Sequence, residues 1–214
     1  MKFLVITNGS YGDLDWYRGR TCLYDRIICV DGGAKRAREL SIVPGWVVGD
    51  MDSISEDDRK YMADAGVSFE LHPPEKDFTD TQIALELAAR EGGKEICIWG
   101  GTGSRLDHNL SNIFSATSFL ARGIKILFES PDLMVYFVEE RLVIPGSPGD
   151  TVSLIALGER AVGVDLRGFK YPLDKATLES SWQWAVSNII TEANPVVRLD
   201  YGILAVFHYK TPVL

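Results

Sequence analysis

The feature that most constrains this chain is an alternation in its N-terminal part. Short apolar runs there trade places with segments of helical periodicity. The runs lie at residues 2–7 (KFLVIT), 26–30 (RIICV), 46–48 (WVV), 67–71 (VSFEL), 95–99 (EICIW) and 124–128 (IKILF). Between them, TDTQIALELAARE at 79–91 opens with a T-x-x-Q capping box and sets Ile83, Ala84, Leu87 and Ala88 on one face. Gly92 closes that helix. A second helix is expected over about 108–121, with Leu110, Ile113, Phe114 and Leu120 inward and Gly123 at its end. Strands that alternate with helices predict an α/β unit, a mostly parallel sheet flanked by helices.

The pattern changes near 132–150. LMVYFV and LVI flank the charged EER as in a hairpin, and PGSPGD makes a turn-rich boundary. Beyond it come short strand-like runs without helical periodicity: TVSLIAL, AVGVDL, SWQWAV, PVVRL and ILAVFHY. We therefore expect an α/β domain over 1–132 and a small all-β sandwich over 133–214. Trp182 and Trp184, two apart in a strand-like run, share one face, either in the β core or on a surface that stacks a flat ring.

A net charge of −8 over 214 residues argues against a general nucleic-acid surface and suits a site for cations. Cys22, Cys29 and Cys97 form neither a disulfide framework nor a CxxC metal site. The N-terminus starts straight into MKFLVIT without a signal-like segment, and no apolar run approaches a membrane span. The expectation is a soluble cytoplasmic protein.

In open parallel sheets, ligands bind beyond the carboxyl ends of the strands. Acidic residues gather there from several connections. Asp31 follows RIICV, Asp50 and Asp52 follow WVVG, and Asp77 and Asp80 open the helix after 67–71. Taken singly, each has an ordinary explanation in turn chemistry or the helix dipole. Together they are costly unless a hard cation such as Mg²⁺ binds them. The second feature is GGTGSRLDHN after EICIW. It is neither a Walker A loop nor a GxGxxG fingerprint. Its glycines still let backbone N–H groups approach an anion at a helix N-terminus, with Arg105 shaped for phosphate oxygens and Asp107 near a bridging metal. His108, Lys35, Arg36 and Lys76 are secondary candidates that equally suit a solvated surface. The two features together point to a metal-assisted nucleotide site.

DGGA at 31–34, GDMDS at 49–53, DFTDTQIAL at 77–85, GTGSRLDHNLSN at 101–112, GFKYPL at 168–173 and SN at 187–188 resemble the thiamine pyrophosphokinase family in order and approximate spacing. The resemblance spans nearly the whole chain. It implies a homodimer with thiamine bound at the subunit interface, and pyrophosphoryl transfer from ATP to the thiamine hydroxyl with release of AMP. By motif, Asp50, Asp52 and Asp80 resemble the Mg²⁺-binding core, with Asp31 and Asp107 beside it. Gly101, Thr102, Gly103 and Arg105 resemble the ATP-phosphate loop, and Ser187 and Asn188 the thiamine-contacting pair. Ser104 stands where the family commonly has glycine, and Ala185 where a glycine often precedes SN. Rival readings are diphosphate transfer to another hydroxymethyl heterocycle such as a pterin, a non-catalytic sensor of nucleotide or thiamine diphosphate, and a Mg²⁺ phosphohydrolase.

Overall fold

The computed structural model describes residues 1–210. The chain divides into two compact units, Met1–Pro131 and Asp132–Leu214. The first holds β1 (Lys2–Ile6), β2 (Arg26–Val30), α1 (Gly33–Glu39), β3 (Trp46–Gly49), α2 (Glu56–Asp64), β4 (Ser68–Leu71), α3 (Asp80–Arg90), β5 (Glu95–Trp99), α4 (Leu106–Leu120) and β6 (Lys125–Glu129). Its strands run in the order β4-β3-β2-β1-β5-β6, and each neighbouring pair is parallel. Phe3, Leu4, Val5, Ile6, Ile96, Ile98 and Trp99 are fully buried, which is why β1 and β5 read as unbroken apolar runs. β4 is the edge strand and is largely exposed.

β2, β3 and β4 are laid outward on one side of β1, and the chain then returns to its other side for β5 and β6. In open parallel sheets such a reversal marks the place where ligands bind, here the carboxyl ends of β1 and β5. α3 starts with the expected capping box: Thr79 N–H donates to Gln82 Oε1 (2.8 Å), and Gln82 N–H to Thr79 Oγ1 (3.2 Å). α4 departs from expectation on one face. Ile113, Ala116, Phe119 and Leu120 are buried, but Leu110 and Phe114 are 46% and 54% exposed. Its apolar stripe is wider than the surface it packs on.

The second unit is antiparallel. It comprises β7 (Leu133–Val138), β8 (Arg141–Val143), β9 (Thr151–Arg167), β10 (Leu173–Glu179), β11 (Asn188–Ile189), β12 (Val196–Arg198) and β13 (Tyr201–Tyr209). β13 pairs with β7 and β9, β9 also pairs with β10, β11 and β12, and β12 pairs with β8. Three sequence expectations change here. β7 and β8 face different partners rather than each other across EER. TVSLIAL and AVGVDL form one long strand, because Gly158 (φ +98°) and Gly163 (φ +69°) bend it without ending it. SWQWAV is mostly irregular, with Trp182 72% and Trp184 47% exposed, so the core reading of these tryptophans is overturned. The core is instead built by residues such as Leu154, Val164, Leu178, Val197 and Val206.

Truncation separates the two kinds of site. Leu178 is fully buried, so Leu178→Ala is expected to lose about 2–5 kcal/mol. Trp182→Ser is expected to stay within about 0.5 kcal/mol of the parent. Urea denaturation checks both, and equal losses would return Trp182 to the core.

Candidate active site

The acidic half of the site is built from two turns that close on each other. Asp31, just after β2, has φ +41°, and Met51, after β3, has φ +66°. Left-handed geometry at such residues costs on the order of 1 kcal/mol each and persists only where neighbours hold it. Here they do. Asp31 N–H donates to the Val48 carbonyl (2.9 Å), Met51 N–H to Asp31 Oδ1 (3.2 Å), Gly32 N–H to Ser53 Oγ (3.1 Å) and Asp52 N–H to Asp50 Oδ1 (3.1 Å). Gly49 makes the approach possible, since a Cβ there would lie 1.8 Å from Asp31 Oδ1. GDMDS therefore needs its glycine so that the carboxylate of the preceding turn can come in.

The Asp31 carboxyl is pushed up to about 6, first by burial, then by the Asp80 and Asp50 carboxylates, with the Met51 N–H pulling the other way. Asp80, the first residue of α3, is close enough to hydrogen-bond with Asp31. Its Oδ1 is buried and takes no aligned hydrogen bond, although Lys76 Nζ lies 2.8 Å away. Asp31, Asp50 and Asp80 are thus brought together. Asp52 and Asp77 are exposed. Among the described residues, no three His, Cys, Asp or Glu side chains form a ready metal cage. Mg²⁺ does not need one, because it keeps waters and takes phosphate oxygens beside one or two carboxylates. Hard oxygen donors gathered around a half-buried carboxyl fit such an ion.

The other half is the loop Gly100–Ser104. Asn109 grips it twice, accepting from Gly103 N–H and donating to the Gly103 carbonyl, both at 2.8 Å. Asn112 donates to the Gly101 carbonyl (2.8 Å), and Ser10 N–H to that of Thr102 (2.8 Å). Gly9 lets the chain after β1 lie flat on the loop, since a Cβ there would be 2.0 Å from the Gly100 oxygen. The neighbouring Asn8 lies against Gly32, where a Cβ would be 2.6 Å from its Nδ2. The end of β1 therefore touches both halves of the site. Arg105 and Asp107 are exposed and paired, Nε to Oδ1 at 3.2 Å, and Arg105 holds the Asp107 carboxyl down to about 2. Ser104 is not among the residues with positive φ, so serine fits there. His108 and Lys35 are exposed, while Arg36 bonds Glu39 (2.8 Å) beside the Tyr11 ring.

In the second unit, Asn188 is buried and its amide is spent on backbone. Oδ1 accepts from Tyr171 N–H (3.0 Å) and Ile189 N–H (2.9 Å), and Nδ2 donates to the Tyr171 carbonyl (2.7 Å). It ties GFKYPL to SN. Ser187 is exposed at φ +56°, held by its N–H donating to Ser153 Oγ (2.9 Å).

Two family models match the chain. Residues 23–128 match "Thiamin pyrophosphokinase, catalytic domain", and residues 139–204 match "Thiamin pyrophosphokinase, vitamin B1 binding domain". Thiamine pyrophosphokinase of Bacillus subtilis (strain 168) is 30% identical over 194 residues, 90% of this chain and 89% of that protein. The chain belongs to the thiamin pyrophosphokinase family. The crystal structure of the Bacillus subtilis thiamine pyrophosphokinase superposes with a TM-score of 0.86 at 25% identity, covering 100% of both chains. Thiamin pyrophosphokinase from Candida albicans shares the fold at a TM-score of 0.81 and 18% identity, covering 98% of this chain and 88% of that one.

Sequence reasoning missed the residues that hold the thiamin pyrophosphokinase motifs in place: Ser53, Asn8, Gly9, Asn109 and Asn112. A signal existed for two of them. Asn109 and Asn112 are three apart near the start of α4, so they share the face that looks back at the loop. Asn109→Ala should cost roughly 1 kcal/mol and speed hydrogen exchange at Gly103 while α4 stays protected. Unchanged exchange at Gly103 would show that the clamp does not hold the loop.

Proposed function

We propose that this chain transfers the β,γ-pyrophosphoryl group of ATP to the hydroxyl of thiamine, giving thiamine diphosphate and AMP. The observation that carries this reading is the carboxyl set of Asp31, Asp50 and Asp80, in which burial first, and then the Asp80 and Asp50 carboxylates, push Asp31 up to about 6. Such a set calls for a cation, and the family match names the reaction that brings one. Asp50, Asp52 and Asp80 would hold Mg²⁺, which when bound neutralises triphosphate charge. Residues 1–132 would form the ATP- and Mg²⁺-binding α/β domain and 133–214 a β-sandwich that binds thiamine. The working form would be a cytoplasmic homodimer with thiamine at the subunit interface. No helix among the described residues is long and apolar enough to cross a membrane, which is compatible with that location.

In such transfers the protein supplies position and charge rather than covalent chemistry. Gly101, Thr102 and Gly103 would present the loop to the phosphates, with the Gly103 N–H already committed to Asn109. Arg105 would leave its exposed pairing with Asp107 to meet developing charge. Asp107, held down to about 2, is a weak proton acceptor. That favours Asp80 for orienting the thiamine hydroxyl. Ser187 would contact thiamine directly, and Asn188 would set the segment that presents it.

The test is thiamine-dependent AMP formation by the parent and by Asp52→Asn and Asp80→Asn. Each substitution should lower turnover by at least about 100-fold. Both variants should still fold and unfold cooperatively, because Asp80→Asn removes a repelling charge as well as the partner of the Lys76 ammonium, two effects of opposite sign. A variant that unfolds would mark a structural role, and full activity in both variants would refute the metal assignment.

A further inference from the structure

We propose that Lys76 is a resident counter-cation of the carboxylate set, one that suppresses metal binding until a nucleotide offers its ammonium another anion. The inference rests on the reading that Asp50, Asp52 and Asp80 take Mg²⁺. It adds that the set already carries a counter-charge of the protein's own.

Lys76 Nζ lies 2.8 Å from Asp80 Oδ1, and its side chain is only 13% exposed, more covered than the 23% of Asp80. Lysine in a polar loop normally keeps its ammonium in water. Support of α3 does not explain the contact. Lys76 precedes the N-cap Thr79, so its charge stands at the positive end of the helix dipole, where a cation is disfavoured. Asp80 Oδ1 is buried without an aligned hydrogen bond. The contact is therefore one of charge rather than of directed bonding, which is what a movable placeholder requires. The neighbours supply the reason for it. Asp31 lies beside Asp80 and also feels Asp50, so the ammonium sits where negative charge is crowded.

The ammonium sits on a flexible four-carbon stem, so it can leave Asp80 by a change of side-chain rotamer. A phosphate oxygen is its natural second partner, since lysine binds phosphate as a point charge. Metal and nucleotide would then help each other in. Nucleotide draws Lys76 away and frees Asp80, and by reciprocity metal on Asp80 releases Lys76 to the nucleotide.

Mn²⁺ bound to the full chain, read by electron paramagnetic resonance with and without a non-hydrolysable ATP analogue, tests this. Without nucleotide, Lys76→Met should bind Mn²⁺ about tenfold or more tightly than the parent, in line with the one to three pKa units an adjacent opposite charge is worth to a proton. The difference should shrink when the analogue is present. Lys76→Arg keeps the charge and should bind as weakly as the parent. Adding Asp80→Asn to Lys76→Met should abolish the gain. If Lys76→Met binds no more tightly than the parent, while the parent takes Mn²⁺ with the analogue and loses it in Asp80→Asn, the metal reading stands and the role of Lys76 is refuted. If no form binds Mn²⁺ even with the analogue, the metal reading falls and takes this inference with it.

Discussion

Carboxylates in the N-terminal unit are held closer than their charges favour, and the local frame exists to keep them there. Asp31 and Met51 both accept left-handed backbone, and each helps fix the other through the Met51 N–H to Asp31 Oδ1 bond. Gly49 has no Cβ at the one place where any Cβ would strike that carboxylate. Strain and repulsion of this kind are retained where the surrounding structure over-determines them, and such places are where function concentrates. Asp80 reaches the set because the capping box of Thr79 and Gln82 fixes where α3 begins.

The glycine-rich loop leans on the chain leaving β1, which also lies against the first acidic turn. β1 is central in its sheet, and the residues leaving it, Asn8 and Gly9, lie against Gly32 on one side and against Gly100 and Thr102 on the other. The carboxylate set and the glycine-rich loop are thereby set at fixed spacing by a few van der Waals contacts. Polar side chains do the rest. Ser53, Asn109 and Asn112 spend hydrogen bonds on backbone and so brace both halves.

Much of this was legible in the sequence because its causes are local. Continuous apolar runs mark strands buried on both faces, T-x-x-Q marks a helix start, and aspartates beyond strand ends mark the ligand side of a parallel sheet. What stayed hidden depends on tertiary partners. Periodicity places Leu110 and Phe114 on one stripe of α4 but does not say how wide a surface the helix packs on. Two apolar runs separated by glycine read as two strands, yet Gly158 bends β9 without breaking it. The tryptophans of SWQWAV look like core by composition and stand exposed. In the site, Asp80 and Asp50 act on Asp31 while Asp52 is exposed. Two residues of spacing did not reveal which carboxylate turns inward.

The most direct measurement follows each phosphorus of ATP separately in the presence of thiamine. For a diphosphotransferase, label from both the β and γ positions must appear together in thiamine diphosphate, and label from the α position must remain in AMP. Movement of the γ label alone, with ADP as the other product, would contradict pyrophosphoryl transfer and reduce the chain to a simple kinase.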